Sequence, residues 1–394
     1  MFTIFAFRGI DRYVQEYQDS QGLVLDDTDN TSASFLTRNF TAVPTFKVYM
    51  INSTSLPLGL DHSLCAIEAV QPVPLTKTNM VLTQTNRTSN LDGSQGRLTL
   101  PREPIPAEVG QRRQVLIQSL IPGKEYIAFF VTDVLNQAGA EVMYAMTRFE
   151  TKRNDNCVLI TDLQFCHEVA YAVPVTPIST LPPGGVAPDP MTLQEIKQLY
   201  DGFANAVMGN FTNVLGQYDC SKSQYSLIRN CTDCERAYRR WLCSVSIPRC
   251  TDTGDVTDPK NLGYIHPEEF QKPDVISNPY LIDRSNGPVV VMRNTTTSRG
   301  AIKQSENRLM NPGEYGEVLP CMDLCYDVVQ SCPHFLQFSC PAKNMAGNYA
   351  WMNMEGYKCN GLGLVPLPSG AASDKSRMME VVAVVVVGVV ILLF

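Results

Sequence analysis

Closely spaced cysteines constrain the fold of this chain more than any other feature of its sequence. Twelve of the 13 cysteines lie in residues 157–359. The densest run is Pro320–Pro341, and three of its cysteines occur at i, i+4 and i+11, on one stripe of a helix: Cys321, Cys325 and Cys332. Pro333 ends such a helix directly after its last cysteine. We therefore expect a helix here whose thiols are cross-linked to other helices.

Free thiols and a metal site are the alternatives to disulfides. Single cysteines often pack as small hydrophobic side chains, but twelve so close together are typical of a disulfide framework. Cys231 and Cys234 form a CxxC pair, which suits zinc only where a second pair of similar spacing exists. Cys243 and Cys250 are too far apart to supply that pair. A thioredoxin-type redox pair would require a βαβ unit, and none is visible around it, so disulfides are favoured.

Glycosylation sequons, like the many cysteines, indicate a protein of the secretory pathway. The sequence contains seven Asn-x-Ser/Thr sequons, where about three would be expected by chance: Asn30, Asn39, Asn52, Asn86, Asn210, Asn230 and Asn294. Disulfides and sequons together predict a glycosylated protein of the secretory pathway. The formal net charge of −7 and the lack of a basic run with interleaved aromatics argue against a nucleic-acid partner.

The amino terminus does not fit a secreted protein by itself. Residues 1–13 contain only a short apolar run, with no basic segment before it and no clear cleavage site. We therefore expect the sequence to begin late, as a truncated chain. Cys65 is the cysteine left over after pairing, and its partner would lie in the missing segment.

Residues 1–152 are predicted to form an antiparallel β-sandwich domain in a protein of the α+β class. Short β-like runs separated by turn residues occur at 45–50, 96–100, 114–120, 126–131 and 142–149. Leu120–Tyr126 resembles the fibronectin type III segment in which a Pro-Gly turn precedes a corner tyrosine. The acidic run Asp26–Asp29 reads as a solvated loop, with calcium as the less favoured interpretation.

Residues 153–365 are predicted to form a second, cysteine-rich and mainly helical domain. Thr192 with Glu195 three residues later is a capping box, and it opens a helix whose apolar residues recur with a period of 3.6. A second helix is expected over Cys234–Cys243, ending before Pro248. Residues 251–319 contain few secondary-structure signals and no cysteine, so we interpret them as a long insertion and as the candidate surface for partner contacts.

The carboxyl terminus, residues 366–394, reads as a spacer and a membrane-anchor signal. Val381–Phe394 is apolar to the last position, but a helix of this length spans roughly 21 Å, short of the ~30 Å hydrocarbon core. Small residues before a polar spacer supply the attachment positions of a GPI signal: Gly370, Ala371 and Ser373. A short transmembrane anchor is the alternative. Either anchor places the folded part on the non-cytosolic face.

The order of the cysteines resembles the ten-cysteine frizzled-type domain, a disulfide-bonded helical module. The matching pieces are Leu242–Cys250 and Pro320–Cys325, while the long insertion after Cys250 departs from the pattern. The resemblance implies these pairs: Cys157–Cys250, Cys166–Cys243, Cys234–Cys332, Cys321–Cys359 and Cys325–Cys340. Cys220 and Cys231 are additional to that module and would pair with each other.

A second resemblance covers most of the chain. The segments 22–30, GLVLDDTDN, and 325–333, CYDVVQSCP, are similar to the fungal mating-induced-death family of stretch-activated calcium channel components. That family implies an extracellular auxiliary subunit, at the plasma membrane, of a four-repeat pore-forming calcium channel. The alternative is a free-standing frizzled-type domain that binds a lipid or a cell-wall ligand. An apolar groove would be needed for that.

An enzyme is the least favoured class. Four histidines are present, at positions 62, 167, 266 and 334, and none lies in a recognisable nucleophile or metal motif. The adjacent Glu268 and Glu269 carry no glycosidase signature. We therefore expect no catalytic residues, no cofactor and no metal.

Overall fold

A computed structural model describes residues 15–38, 40, 44–55, 63–76, 78–85, 112–133, 141–177, 191–218, 229–252, 264–265, 290–294, 296–300, 302, 310–341, 349–350 and 359–362. For 15–21, 83–85 and 264–265 only the backbone is described. The expected strand at 96–100, the expected attachment positions Gly370, Ala371 and Ser373, and the apolar tail all lie outside these ranges.

Two sheets form the amino-terminal part of the described chain. Their strands are β1 (Gln15–Gln21), β2 (Leu23–Thr28), β3 (Ala33–Thr37), β4 (Phe46–Asn52), β5 (Met80–Thr85), β6 (Arg112–Ile117), β7 (Glu125–Asp133), β8 (Glu141–Ala145) and β9 (Thr147–Glu150). The first sheet has the order β1-β8-β7-β4, with β9 also on β7, and the second has the order β2-β3-β6-β5. Every pairing is antiparallel except that of β1 with β8. The run expected at 142–149 is divided at Met146 into two strands.

One apolar core receives side chains from both sheets. Phe35 of the second sheet meets Phe149 of the first edge to face, with ring centroids 5.2 Å apart. Phe130 belongs to the same core. The opposite face of the first sheet is covered by helix α1 (Leu64–Val70), which the sequence did not predict. Because both faces of β7 are buried, its sequence is an apolar run without the polar alternation of a half-exposed strand.

The turn before β7 matches the expected Pro-Gly turn and corner tyrosine. Gly123 has a φ of 63°, a left-handed conformation that favours glycine. Three residues later, the Tyr126 hydroxyl accepts a hydrogen bond from the Ile121 N–H at 3.0 Å. This bond ties the start of β7 back to the segment that precedes the turn.

The cysteine-rich part combines helices with two further sheets. Its elements are β10 (Cys157–Ile160), β11 (Tyr171–Pro174), α2 (Leu193–Leu215), α3 (Cys231–Ser246), β12 (Arg249–Thr251), β13 (Tyr264–Ile265), β14 (Val290–Arg293), β15 (Tyr315–Val318) and α4 (Met322–Ser331). Strands β10 and β11 form a two-stranded sheet, and the other four pair in the order β12-β15-β14-β13. The described part of the insertion 251–319 therefore supplies strands, although its sequence showed few such signals.

The helix boundaries follow the local signals. The Thr192 side chain accepts from the Glu195 N–H while the Glu195 carboxylate accepts from the Thr192 N–H, which confirms the predicted capping box at the start of α2. Helix α3 ends before Pro248, as expected. About two turns into α2, the Asp201 carboxylate accepts three backbone N–H groups of residues 164–166 and holds that loop against the helix.

Five disulfides join the described cysteines of this part: Cys157–Cys250, Cys166–Cys243, Cys234–Cys332, Cys321–Cys359 and Cys325–Cys340. They are the pairs that the frizzled resemblance implies. Cys231 is also disulfide-bonded, but the expected pair Cys220–Cys231 is not tested, because Cys220 lies outside the described residues. Cys65 is a free, half-buried thiol near the start of α1.

Two features of the expected cysteine helix are wrong. Only Cys325 lies within α4, because Cys321 is its N-cap and Cys332 its C-cap. Only one of the three disulfides joins α4 to another helix, α3, through Cys234. The other two lead to Cys340 and Cys359, outside any helix. The spacing i, i+4, i+11 therefore brackets the helix.

Candidate functional site

The acidic run Asp26–Asp29 is buried at the point where the amino-terminal sheets meet the cysteine-rich part. Asp26, Asp27 and Asp29 are only 8%, 9% and 5% exposed. The expectation of a solvated loop is therefore wrong. The run is buried because strand β2, which contains most of it, packs against both β9 and β11.

The Asp27 carboxylate is the centre of this junction, and four donors saturate it. One oxygen accepts from the Lys152 ammonium and from the Thr28 N–H, both at 2.8 Å. The other accepts from Arg249 Nε at 3.0 Å and from the Ala172 N–H at 3.1 Å. Strands β2, β11 and β12, and the segment after β9, therefore converge on a single side chain.

The charge of Asp27 is stabilised by the two cations. Burial alone would raise the pKa of this carboxyl, but Arg249 and Lys152 outweigh that effect and, with the hydrogen bonds from Lys152 and Thr28, hold the pKa below its ordinary value. The Arg249 guanidinium also donates to the Asp26 carbonyl at 2.8 Å and lies over the Tyr171 ring, 5.8 Å from its centroid. Asp27 is thus an ionised anchor that needs both partners.

Asp29 forms a second bridge across the junction. One carboxylate oxygen accepts from the Thr31 and Ser32 N–H groups, which closes the turn between β2 and β3. The other accepts from the Leu159 N–H of β10 at 2.9 Å. In addition, the Lys152 N–H donates to the Asp29 carbonyl at 3.0 Å. The turn of the second sheet is therefore fixed directly to the first strand of the cysteine-rich part.

A third carboxylate contacts the segment that links the two parts. The Asp252 carboxylate, just after β12, accepts from the Arg153 N–H at 2.7 Å and from the Asn154 N–H at 3.3 Å. Its neighbour Cys250 is bonded to Cys157 of β10. The segment that links the two parts is thus held by Asp27 through Lys152, by Asp252 through Arg153 and Asn154, and by the nearby Cys157–Cys250 disulfide. We call these contacts of Asp27, Asp29 and Asp252 the carboxylate junction.

The chemistry of the junction is structural. Asp27 and Asp29 have donors on every oxygen, which leaves them neither an open position for a metal ion nor a role as a general base. Within the described ranges, no cluster of three or more His, Cys, Asp or Glu side chains is arranged to hold a metal. His167 and His334 are exposed, and His62 and His266 lie outside the described residues. What the arrangement does is hold two parts of the chain in one orientation.

A second buried carboxylate lies in the insertion. Glu317 of β15 is fully buried and is paired with Arg293 at 2.8 Å and with Arg299. Gly300 has a φ of 60°, and a Cβ there would lie 2.0 Å from the Ser246 carbonyl oxygen, so this loop passes close to the end of α3. Strands β14 and β15 of the insertion therefore belong to the core of the cysteine-rich part.

The predicted sequons lie at different depths. Asn210, Asn230 and Asn294 are exposed, while Asn30 and Asn52 are half-buried. Asn39 and Asn86 lie outside the described residues. In two sequons, the asparagine Oδ1 accepts from the threonine hydroxyl, at 2.9 Å from Thr54 to Asn52 and at 2.8 Å from Thr296 to Asn294. Asn230 uses its Oδ1 to cap α3.

The sequence did not reveal three of the donors to Asp27, namely Lys152, Arg249 and the Ala172 N–H. Lys152 and Arg249 lie 125 and 222 residues from Asp27, so no local pattern relates them. One signal was available: the segment 22–30 that matches the mating-induced-death family contains Asp27 and Asp29. Its carboxylates were interpreted by local composition alone.

No helix within the described ranges has both the length and the apolar character that crossing a bilayer demands. No solved structure matches the chain. A family model described as "Stretch-activated Ca2+-permeable channel component" matches residues 6–365.

Curated relatives carry related names. The chain is 30% identical over 380 residues to the stretch-activated cation channel yam8 of Schizosaccharomyces pombe, which covers 92% of this chain and 65% of that protein. It is 29% identical over 340 residues to the stretch-activated cation channel MID1 of Saccharomyces cerevisiae, covering 80% of this chain and 53% of that protein. The chain thus spans roughly half to two thirds of the length of these relatives. Neither name describes an enzyme. This chain belongs to the family of stretch-activated Ca²⁺-permeable channel components.

Proposed function

We propose that this chain is an extracellular, glycosylated auxiliary subunit of a plasma-membrane calcium channel. In this proposal it binds a four-repeat pore-forming subunit and supports stretch-activated or stress-induced calcium influx. A carboxyl-terminal lipid anchor, attached near Gly370, Ala371 or Ser373, keeps it at the membrane. The family match over residues 6–365 is the observation that carries the proposal.

The geometry favours a binding role over a catalytic one. Five disulfides, the carboxylate junction and the buried Glu317 pairs hold the described residues in one arrangement. A preorganised body of this kind loses little conformational entropy when it binds a partner. Strands β14 and β15 are buried, so we propose that partner contacts use the insertion 251–319 outside those strands.

At the level of the fold, we propose two domains. The first, residues 1–152, would be a fibronectin III-like β-sandwich, because its two sheets share one core. The second, residues 153–365, would be a frizzled-like module, because it contains the five disulfides of that pattern. Exposed sequons at Asn210, Asn230 and Asn294 fit glycosylation of the second domain.

Affinity purification tests the subunit role. The full-length tagged chain would be recovered from detergent-solubilised fungal membranes, and the proteins that accompany it identified by mass spectrometry. We expect a four-repeat cation-channel polypeptide, which is lost when Cys325→Ser and Cys340→Ser remove one disulfide. Cys65→Ser is the matched control, because it removes a thiol that forms no disulfide in this structure, and it should retain the channel.

A different outcome of the purification would favour the alternative function, and two further experiments check the anchor and the glycosylation. Recovery of cell-wall glycoproteins or a lipid, without any channel, would support the free-standing binding domain. Release of the chain from membranes by a phosphatidylinositol-specific phospholipase checks the lipid anchor. A mass shift on treatment with an N-glycosidase checks the sequons.

A further inference from the structure

The disulfides of the cysteine-rich part fall into two groups with a single cross-link between them. Cys157–Cys250 and Cys166–Cys243 close loops within residues 157–250. Cys321–Cys359 and Cys325–Cys340 close loops within residues 321–359. Of the five disulfides among the described residues, only Cys234–Cys332 joins one group to the other. The chain itself also connects the groups, through the backbone of residues 250–321. Cys231, the remaining disulfide-bonded cysteine of the described residues, lies within the first group.

Because of these disulfides, the shortest covalent path from Cys157 to Cys359 includes only a small part of the chain. From Cys157 the path crosses to Cys250, follows the backbone to Cys234, crosses to Cys332, follows the backbone to Cys321 and crosses to Cys359. Only segments 234–250 and 321–332 lie on it. Fully extended, these segments reach roughly 90 Å at ~3.4 Å per residue, whereas residues 157–359 without disulfides would reach roughly 700 Å.

The two segments consist largely of helices α3 and α4, and tension on the path acts between residues near the two ends of each helix. Cys234 lies in the first turn of α3, and Cys250 follows its end. Cys332 and Cys321 are the C-cap and N-cap of α4. Both helices are also packed together, since Cys234, Val328 and Cys332 share one core cluster. The path can therefore lengthen only after tension unfolds the two packed helices, and even then by a short distance.

Tension from the amino-terminal sheets enters at the start of the same path. Asp29 binds the Leu159 N–H of β10, and Asp27 binds Arg249 beside Cys250. Strands β10 and β12 are the two that Cys157–Cys250 connects. The carboxylate junction thus delivers force to both ends of the first disulfide, and the insertion 251–319 lies off the path.

From this topology we infer that residues 157–359 form a nearly inextensible tether that transmits tension through α3, Cys234–Cys332 and α4. Tension applied to residues 157–359 is passed on to the bound partner, and this part does not sense the tension by unfolding. The insertion 251–319 carries no tension and stays available for partner contacts. The source of the tension, a membrane anchor at one end and a partner at the other, rests on the proposed function. The tether itself depends only on the disulfides.

Optical tweezers test the tether on the full chain. Handles would be attached through click-reactive residues at Asn154 and Ser369, and the contour length released between them measured with the disulfides oxidised. Replacing Cys234 and Cys332 by serine redirects the path along the backbone of 250–321, and we expect a gain of roughly 150 Å. Removing Cys321–Cys359 should add only roughly 50 Å, because Cys325–Cys340 then takes over.

Two matched controls remove a disulfide that lies off the path. Loss of Cys325–Cys340 or of Cys166–Cys243 should leave the contour length unchanged. Contour length is read from the extended chain, so a variant that folds poorly still reports its connectivity, and peptide mapping of the same sample verifies the remaining pairs.

Two results would overturn the tether. One is a Cys234/Cys332 variant that gains no more length than these controls. The other is an oxidised wild-type chain that extends far beyond the short path. Because no channel is present in this measurement, its failure would leave the subunit proposal standing. Conversely, a failed affinity purification would leave the tether standing.

Discussion

The amino-terminal sheets and the cysteine-rich part are stabilised by different means. The sheets bury large aromatic side chains in two apolar clusters, and Phe35, Phe129 and Phe130 are at most 1% exposed. The cysteine-rich part has a cluster of similar size and four smaller ones, and each of the five contains the two cysteines of a disulfide. Its fully buried aromatics include tyrosines whose hydroxyls donate to carbonyls, Tyr171 to Ile247 and Tyr200 to Pro174.

Each part therefore obtains its rigidity in a different way. The two clusters of the sheets stabilise through buried apolar area and contain no cysteine, whereas those of the cysteine-rich part add cross-links that restrict the unfolded chain. Burial raises the pKa of the Tyr200 hydroxyl well above its ordinary value, so it remains a donor at any physiological pH. The junction joins a part held by packing alone to a part held by packing and disulfides.

Reduction of the disulfides is expected to have the largest effect. Three of the loops they close span 93, 77 and 98 residues, and disulfides over such loops stabilise by about 2–4 kcal/mol each. In mild reductant, hydrogen exchange should accelerate throughout β10–α4 while β7 stays protected. Simultaneous loss of protection in both parts would contradict the comparison and show that they unfold as one unit.

Truncation of Phe130 is the corresponding change in the amino-terminal core. Phe130→Ala should cost about 3–5 kcal/mol, because it leaves a cavity between the two sheets. Urea unfolding followed by exchange at β7 and at α3 should show the loss at β7 first. Ile121→Ala is the control, since that side chain is 57% exposed and its removal should cost less than about 0.5 kcal/mol.

Asp27→Asn tests the junction between the parts. The substitution keeps the shape but leaves Lys152 and Arg249 without a buried counter-charge, and we expect a cost of about 3 kcal/mol. Exchange should rise in β2 and at Ala172 together. Glu150→Gln is the matched control, because the Glu150–Arg153 pair is exposed and contributes little. Equal effects of the two substitutions would refute a role for the junction.

Acid should loosen the junction in the same way, to a smaller extent. Asp27 has a folded-state pKa below its ordinary value of 3.8. Its stabilisation is therefore fully present above that value and is lost as the pH falls through the lower, folded-state pKa. Urea unfolding measured between pH 6 and pH 2 should show a steeper loss for the wild type than for Asp27→Asn below about pH 4. Parallel pH profiles would exclude Asp27 as the cause.

The α2 cap is expected to have the smallest effect. Thr192→Ala removes the side-chain acceptor for the Glu195 N–H and should cost about 1 kcal/mol. Faster exchange should be confined to the first turn of α2. Thr192→Ser keeps the hydroxyl and should leave exchange unchanged, so equal effects of the two substitutions would argue against the hydrogen bond.

Local patterns predicted the ends of the long helices of this protein. Thr192 and Glu195 marked the start of α2, and Pro248 and Pro333 marked where α3 and α4 stop, because capping and proline geometry act within a few residues. Helix α1 was missed since seven residues are too few for a periodic apolar pattern to stand out. Ser63, its N-cap, was the available signal.

By itself, the sequence determined the disulfide-rich composition of residues 157–359, the helix ends and the similarity to a channel-component family. Only the tertiary structure decided that Asp26–Asp29 is buried and that Asp27 joins Lys152 to Arg249. The physical reason is the distance along the sequence between the residues that interact. Caps and proline stops are short-range interactions written into neighbouring residues, whereas the state of a carboxylate depends on which charges distant strands bring within 3.0 Å of it.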